Sequence, residues 1–173
     1  MNIYLVGFMG CGKSHWAKML SREVNMPAFD MDNIIEDLSS ESVYDLFYEK
    51  GEAYFREVEH QVVQDLARIN KGYLIACGGG TPCFHDNMNL MNERGATIYL
   101  KASPEFLFNR LVKGRLNRPL IAMYDNVELR QFIEAELQER EAYYNQATSI
   151  INIEAITLPI FVQTISKCLN RRL

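Results

Sequence analysis

Five short apolar runs punctuate the chain, and stretches with helical periodicity fill the intervals between them. Asn2–Val6 predicts a buried strand, and Lys13–Val24 the helix that follows it. Pro27–Phe29 predicts a second short strand, which ends in Asp30-Met31-Asp32. A helical region runs on from there, broken near Ser39-Ser40 and again at Gly51. Between Phe55 and Ile69, the residues Phe55, Val58, Val62, Leu66 and Ile69 recur at the helical period and give one core face. Tyr73–Cys77 is a third apolar run, cut off by Gly78-Gly79-Gly80. Thr97–Leu100 and Ser149–Ile153 predict two more strands, each flanked by helical segments. Thr157, with Pro159 in the turn that follows, predicts the start of a last helix running to Arg171-Arg172.

Strands that alternate with helices predict an α/β domain whose mostly parallel sheet is covered on both faces. One stretch departs from the pattern. Lys113–Asn126 is polar and basic and contains Gly114 and Pro119, which predicts a long loop of the kind that acts as a mobile lid. No repeat, low-complexity segment or linker divides the chain, so one domain with one flexible insertion is expected.

Composition narrows the class. The 173 residues suit a single domain with a sizeable core, and 48% apolar with 23% charged residues is ordinary for a soluble globular protein. A net charge of −4 argues against nucleic acid as a partner. No apolar run is long enough to span a membrane. The glycine-rich stretch that starts at Gly7 leaves no room for a signal peptide, so a cytoplasmic location is expected. Cys11, Cys77, Cys83 and Cys168 lack metal-ligand spacing and are expected as free thiols.

The chemistry begins at residues 7–14, Gly-Phe-Met-Gly-Cys-Gly-Lys-Ser. This stretch satisfies G-x-x-x-x-G-K-[ST] and lies between a predicted strand and a predicted helix, where a phosphate loop must be. Its glycines let backbone N–H groups converge on phosphate oxygens at a helix N-terminus. Lys13 can reach the β- and γ-phosphates, and the Ser14 hydroxyl can ligate Mg²⁺. The phosphate therefore belongs to a nucleoside triphosphate. A guanine-reading N-K-x-D is absent, which argues against a GTPase. The third strand ends in glycines where a motor ATPase would place a Walker-B aspartate. The first carboxylates after a strand are instead Asp30 and Asp32, directed at the edge of the sheet where α/β ligands bind. On their own these two also suit helix N-capping, Asp32 especially. Arg56 and Glu59 are three residues apart on one helix face, a spacing that serves a surface ion pair or an oriented guanidinium.

Several further motifs follow in a fixed order: Phe29-Asp30-Met31-Asp32, Gly51-Glu52 with Phe55-Arg56 and Glu59, Gly78-Gly79-Gly80, Arg118-Pro119-Leu120, and Glu139-Arg140 with Tyr144. With the phosphate loop, this series resembles the shikimate kinase family over nearly the whole chain. The resemblance implies a three-layer P-loop kinase fold around a five-stranded parallel sheet. It implies ATP-dependent phosphorylation of the 3-hydroxyl of shikimate, with ATP as co-substrate and Mg²⁺ as cofactor, and a monomer with neither nucleic acid nor membrane as partner. By the same resemblance ATP lies against Gly10, Cys11, Gly12, Lys13, Ser14 and His15, with Arg110 at the adenine and Arg118 closing on the phosphates from a lid. Ser14 and Asp30 are then the metal residues. Asp32 meets the substrate hydroxyl and is a candidate base; Arg56 and Arg140 grip the substrate carboxylate; Gly78, Gly79 and Gly80 form the substrate turn. The implied catalytic residues are Lys13, Asp32 and Arg118.

Two departures stand out. His15 replaces the small hydroxyl residue common after Ser14, and Asn152-Ile153-Glu154-Ala155 lacks the late arginine that some members use near the adenine. Trp16, on a helix, is expected to pack. A kinase for another acidic polyol, such as gluconate, and a non-catalytic nucleotide-binding module are the competing readings of the same loop.

Overall fold

The sequence Asn-Ile-Tyr-Leu-Val of β1 (Asn2–Val6) alternates no polar face, and every one of its residues is buried. That is the signature of a strand covered on both sides. In the computed structural model, which describes residues 1–69 and 71–170, β1 is the middle strand of a five-stranded parallel sheet. The others are β2 (Ala28–Asp30), β3 (Leu74–Ala76), β4 (Gly95–Lys101) and β5 (Ser149–Asn152), in the spatial order β2-β3-β1-β4-β5. The register places Ile3 beside Leu74 on one side and beside Ala96 on the other. The chain leaves β1 toward one edge for β2 and β3, then crosses to the other edge for β4 and β5. That reversal makes the carboxyl ends of the strands flanking β1 the crevice where such folds bind ligands.

The helices are α1 (Lys13–Val24), α2 (Met31–Ser39), the single turn α3 (Val43–Asp45), α4 (Gly51–Ile69), α5 (Asn87–Arg94), α6 (Pro104–Leu111), α7 (Asn126–Tyr144) and α8 (Leu158–Asn170). A π-helical turn, Leu46–Lys50, joins α3 to α4. The breaks expected near Ser40 and Gly51 coincide with positive φ values of 57° and 83°. β4 starts two residues before the expected Thr97, because Gly95 and Ala96 are buried and already pair with Asn2 and Ile3. The Arg171-Arg172 end expected for the last helix lies outside the described residues.

The segment expected as a long irregular loop has more local order than its composition suggests. It forms two short 3₁₀ turns, Val112–Asn117 and Pro119–Ile121, with Arg118 extended between them (φ −131°, ψ 93°). Gly114 leaves helical geometry inside the first turn (φ −121°, ψ 17°), Pro119 biases the residue before it out of the helical region, and buried Ile121 anchors the second turn. A capping box then opens α7: Asp125 accepts from the Glu128 backbone, and Glu128 returns the bond to the Asp125 N–H.

One continuous core joins these layers. Its largest fully buried side chains include Tyr4, Tyr99, Tyr144, Phe8 and Phe161. Trp16 packs on Phe161 at 5.1 Å between ring centroids, a packing role on the contact between α1 and α8. Asn2 is the polar exception in β1. Its amide donates to the Leu66 carbonyl (2.8 Å) and accepts from the N–H groups of Gly72 and Tyr73, which ties α4 to the start of β3. All four cysteines are free thiols. No helix among the described residues is long and apolar enough to cross a membrane.

Candidate active site

The turn from β1 into α1 carries the phosphate-loop sequence, and its geometry demands glycine. Gly10 and Gly12 have φ values of +81° and +101°, and a side chain on Gly10 would meet Leu111 at 2.9 Å. The N-cap of α1 is Gly12, which has no side chain to occupy the first backbone N–H groups of the helix. Lys13 is buried and folds back over the loop, donating to the carbonyls of Gly7 (2.7 Å) and Phe8 (3.1 Å), with its Nζ 4.0 Å from the Cys11 sulfur. Arg110 reaches over from the end of α6, its guanidinium 3.3 Å from where a Gly12 side chain would begin. His15 is exposed on the first turn of α1, edge-on to Trp16.

At the adjoining strand ends, the Ser14 hydroxyl donates to Asp30 Oδ2 at 2.5 Å. The other oxygen of Asp30 accepts the Asp32 N–H at 3.1 Å, so Asp30, not Asp32, is the N-cap of α2. Capping, which by residue type suited Asp32 especially, falls to Asp30, and this leaves the Asp32 carboxylate available. A hydroxyl beside a carboxylate offers two hard oxygens of the type Mg²⁺ prefers. No group of three His, Cys, Asp or Glu residues suited to a metal exists among the described residues. A two-residue site matches an ion held mainly by phosphate oxygens and water.

The second half of the site is built around Arg56 of α4. Its Nη1 donates to Glu59 (2.8 Å), while Nε and Nη2 both donate to Glu52 Oε1 (3.2 and 3.0 Å). The Phe84 ring lies over the guanidinium, 4.3 Å from centroid to Cζ. Glu59 is fully buried and also accepts the hydroxyl of Thr81. The Gly78-Gly79-Gly80 turn passes directly over this pair. A Cβ on Gly80 would fall 2.6 Å from Arg56 Nη2, and one on Gly78 would fall 2.7 Å from Glu59 Oε1. Arg140 of α7 approaches the same turn from the other side, 3.6 Å from a Cβ placed on Gly79. Arg140 pairs with Glu136, and Tyr144 donates its hydroxyl to the Gly79 carbonyl at 2.6 Å. The turn is thus held between two guanidinium groups, beside the phosphate loop.

Arg118 stands apart from this assembly. It is exposed, and its side chain lies near Gly114, with Nε 3.9 Å from a Cβ placed there. Several residues that complete the site carry no obvious signal of their own. Thr81 and Phe84 follow the glycines, and Asn87 links them to α4 by donating to the Thr81 carbonyl (2.9 Å) while pairing with His60 Nδ1 (2.6 Å). Tyr144 stands in the motif with Arg140, one turn before it, but nothing in the sequence points to its bond with the glycine turn.

Comparison with known proteins decides the family. The shikimate kinase family model matches residues 9–170. The chain belongs to the shikimate kinase family. A shikimate kinase from Flavobacterium johnsoniae is 40% identical over 164 residues, 94% of this chain and 95% of that one. Another from Bacteroides thetaiotaomicron is 38% identical over 156 residues, 90% of this chain and 89% of that one. The crystal structure of shikimate kinase from B. thetaiotaomicron superimposes with a TM-score of 0.89 at 36% identity, covering 98% of both chains. A shikimate kinase from Acinetobacter baumannii, solved in complex with shikimate, gives 0.84 at 27% identity over 99% of this chain and 93% of that one. The P-loop kinase fold implied by the resemblance is therefore established, and the chain is a small-molecule kinase of this family.

Within the candidate site of this shikimate kinase family member, electrostatics single out Asp32. Crowding by surrounding protein, and after it the charge of Asp30, push its carboxyl up to about 6, against the pull of Lys13. One side of the residue remains open to solvent. A carboxyl with a raised folded-state pKa destabilises the fold above that pKa, and the penalty fades as pH falls toward the unfolded value. Asp32→Asn should therefore unfold at a higher temperature than wild type at pH 7.5. The gap should close as pH drops from about 6 toward 4, the window between the folded and unfolded values. Thermal unfolding across that range checks this; a variant less stable at pH 7.5, or a gap independent of pH, contradicts the assignment of strain to Asp32.

Proposed function

We propose that the chain transfers the γ-phosphoryl group of ATP to the 3-hydroxyl of shikimate, giving ADP and shikimate 3-phosphate in aromatic amino-acid biosynthesis. The observation that carries this is the placement of Arg56 and Arg140 on either side of the glycine turn, next to the phosphate loop. Two planar forks suit one carboxylate held bidentately, and a hydroxylated acid anchored there is oriented toward Asp32 and the γ-phosphate. Asp32, with its raised pKa, accepts the hydroxyl proton as the oxygen attacks, and the Gly79 N–H helps orient the ring.

Phosphoryl transfer depends on positioning and charge neutralisation more than on covalent help. Lys13 exchanges the carbonyls of Gly7 and Phe8 for the β- and γ-phosphates. Arg110, already over the loop, packs on the adenine. Ser14 and the hydration shell held by Asp30 would keep Mg²⁺, which spreads the charge of the β- and γ-phosphates. Residues 113–126 act as the lid of a single kinase domain whose substrate region spans about residues 30–60. Arg118, extended between two short turns, is the residue that the lid brings to the phosphates. A readout of ADP release with shikimate, gluconate and related hydroxy acids tests the function: turnover with shikimate alone is expected, and turnover with another acid or none contradicts it.

Arg56→Lys keeps the charge and loses the fork. It should raise KM for shikimate by about tenfold, one bidentate interaction's worth, and leave KM for ATP near wild type. Equal losses for both substrates would make Arg56 structural.

For the lid, amide exchange across residues 113–126 should slow when ADP and shikimate are added together, and Arg118→Ala should lower kcat by at least about tenfold. Protection already complete without ligand, together with unchanged kcat, would remove Arg118 from the mechanism.

A further inference from the structure

Both guanidinium groups assigned to the substrate carboxylate already hold a carboxylate, each from the same relative position. In α4, Glu52 sits four residues before Arg56 and accepts from its Nε and Nη2. In α7, Glu136 sits four residues before Arg140 and accepts from its Nη2. The Nε/Nη2 edge of an arginine is one that a planar carboxylate engages with two parallel bonds, and Glu52 occupies it with one oxygen.

The acids around Arg56 and Arg140 are not equivalent. The Glu59 side chain is 1% exposed and holds Thr81 as well as Arg56, so it has no route to water. The Glu52 side chain is 58% exposed and that of Glu136 28%, so each can rotate toward solvent. Arg56 would keep its place without Glu52, held by Glu59 and stacked on Phe84. Arg140 would keep Phe8 beneath its guanidinium at 5.7 Å. Charge requires the displacement. Glu52, Glu59 and Glu136 already outnumber the two guanidinium groups, and a substrate carboxylate added to all three would face a surplus of negative charge in a partly desolvated site.

We propose that Glu52 and Glu136 are placeholder carboxylates that set an affinity threshold for anions at this site: they occupy Arg56 and Arg140 until the substrate carboxylate displaces them. This rests on the assignment of Arg56 and Arg140 to that carboxylate. The placeholders tax every anion alike. A ligand also anchored through its hydroxyls overcomes the tax, whereas a small free carboxylate does not. The pair thereby rejects simple anions at the cost of some affinity for the substrate.

Glu52→Gln and Glu136→Gln remove the competing charge while keeping side-chain length. Each should lower KM for shikimate by about two- to fivefold, the range that an exposed ion pair is worth, and the double variant by more. KM for ATP should not move. Competitive inhibition by acetate against shikimate should strengthen by a similar factor. A shikimate KM that stays or rises in both single variants overturns the proposal, because the acids would then orient the guanidinium groups instead of holding the substrate's place. Arg56→Lys, assayed in parallel, separates the two levels. If it raises KM for shikimate while the glutamine variants do not lower it, only the placeholder role fails; if it has no effect on shikimate, the carboxylate assignment falls and the proposal with it.

Discussion

A carboxylate with no access to solvent, Glu59, fixes the geometry of the half of the candidate site around Arg56. It takes one hydrogen bond from Arg56 and one from Thr81, and so locks α4 to the turn after β3. An unpaired charge at that depth would be severely destabilising, so the two partners must stay. Their presence dictates the sequence around them. Gly78 and Gly80 are glycines because Glu59 and Arg56 leave no room for a Cβ, and Phe84 closes the face of the guanidinium. Two of the three glycines of the turn thus follow from packing against an ion pair. Arg140 and Tyr144 then hold its middle residue from α7.

Around this fixed post, the charged groups proposed to meet the ligands are each satisfied by a partner within the chain. Lys13 rests on loop carbonyls, Ser14 on Asp30, Arg56 on Glu52, and Arg140 on Glu136. Each of these contacts imitates what the substrates offer: an oxygen for the lysine and the hydroxyl, a carboxylate for each guanidinium. The site is therefore organised before binding, and the energy of binding is the difference between two sets of similar contacts. Such a difference is small for a poor mimic and large only for a ligand that meets every group at once.

Much of the fold was legible in the sequence because hydrophobic periodicity is local. β1 and α1 begin and end where their patterns do, and the breaks at Ser40 and Gly51 carry positive φ values. The start of β4 was missed because Gly95 and Ala96 are too small to register as an apolar run. In residues 112–121 the composition signals a loop, yet short-range hydrogen bonds and one buried isoleucine give two turns. The candidate site was legible where a motif concentrates it, as in the phosphate loop. It was opaque where contacts span the chain: Thr81 meets Glu59 across 22 positions, and Tyr144 meets Gly79 across 65. Asp30 and Asp32 are the same residue type two positions apart, so only the folded backbone shows which of them caps α2.

Glu59 is the immovable member of the cluster, and the site is built on it. Urea unfolding of Glu59→Gln tests this most directly, since the substitution keeps shape and removes only the buried charge opposite Arg56. The expected result is a loss of about 3 kcal/mol in unfolding free energy with an unchanged denaturant slope, as when one partner of a buried ion pair is removed. A loss below about 1 kcal/mol, the size of an exposed pair, would contradict it.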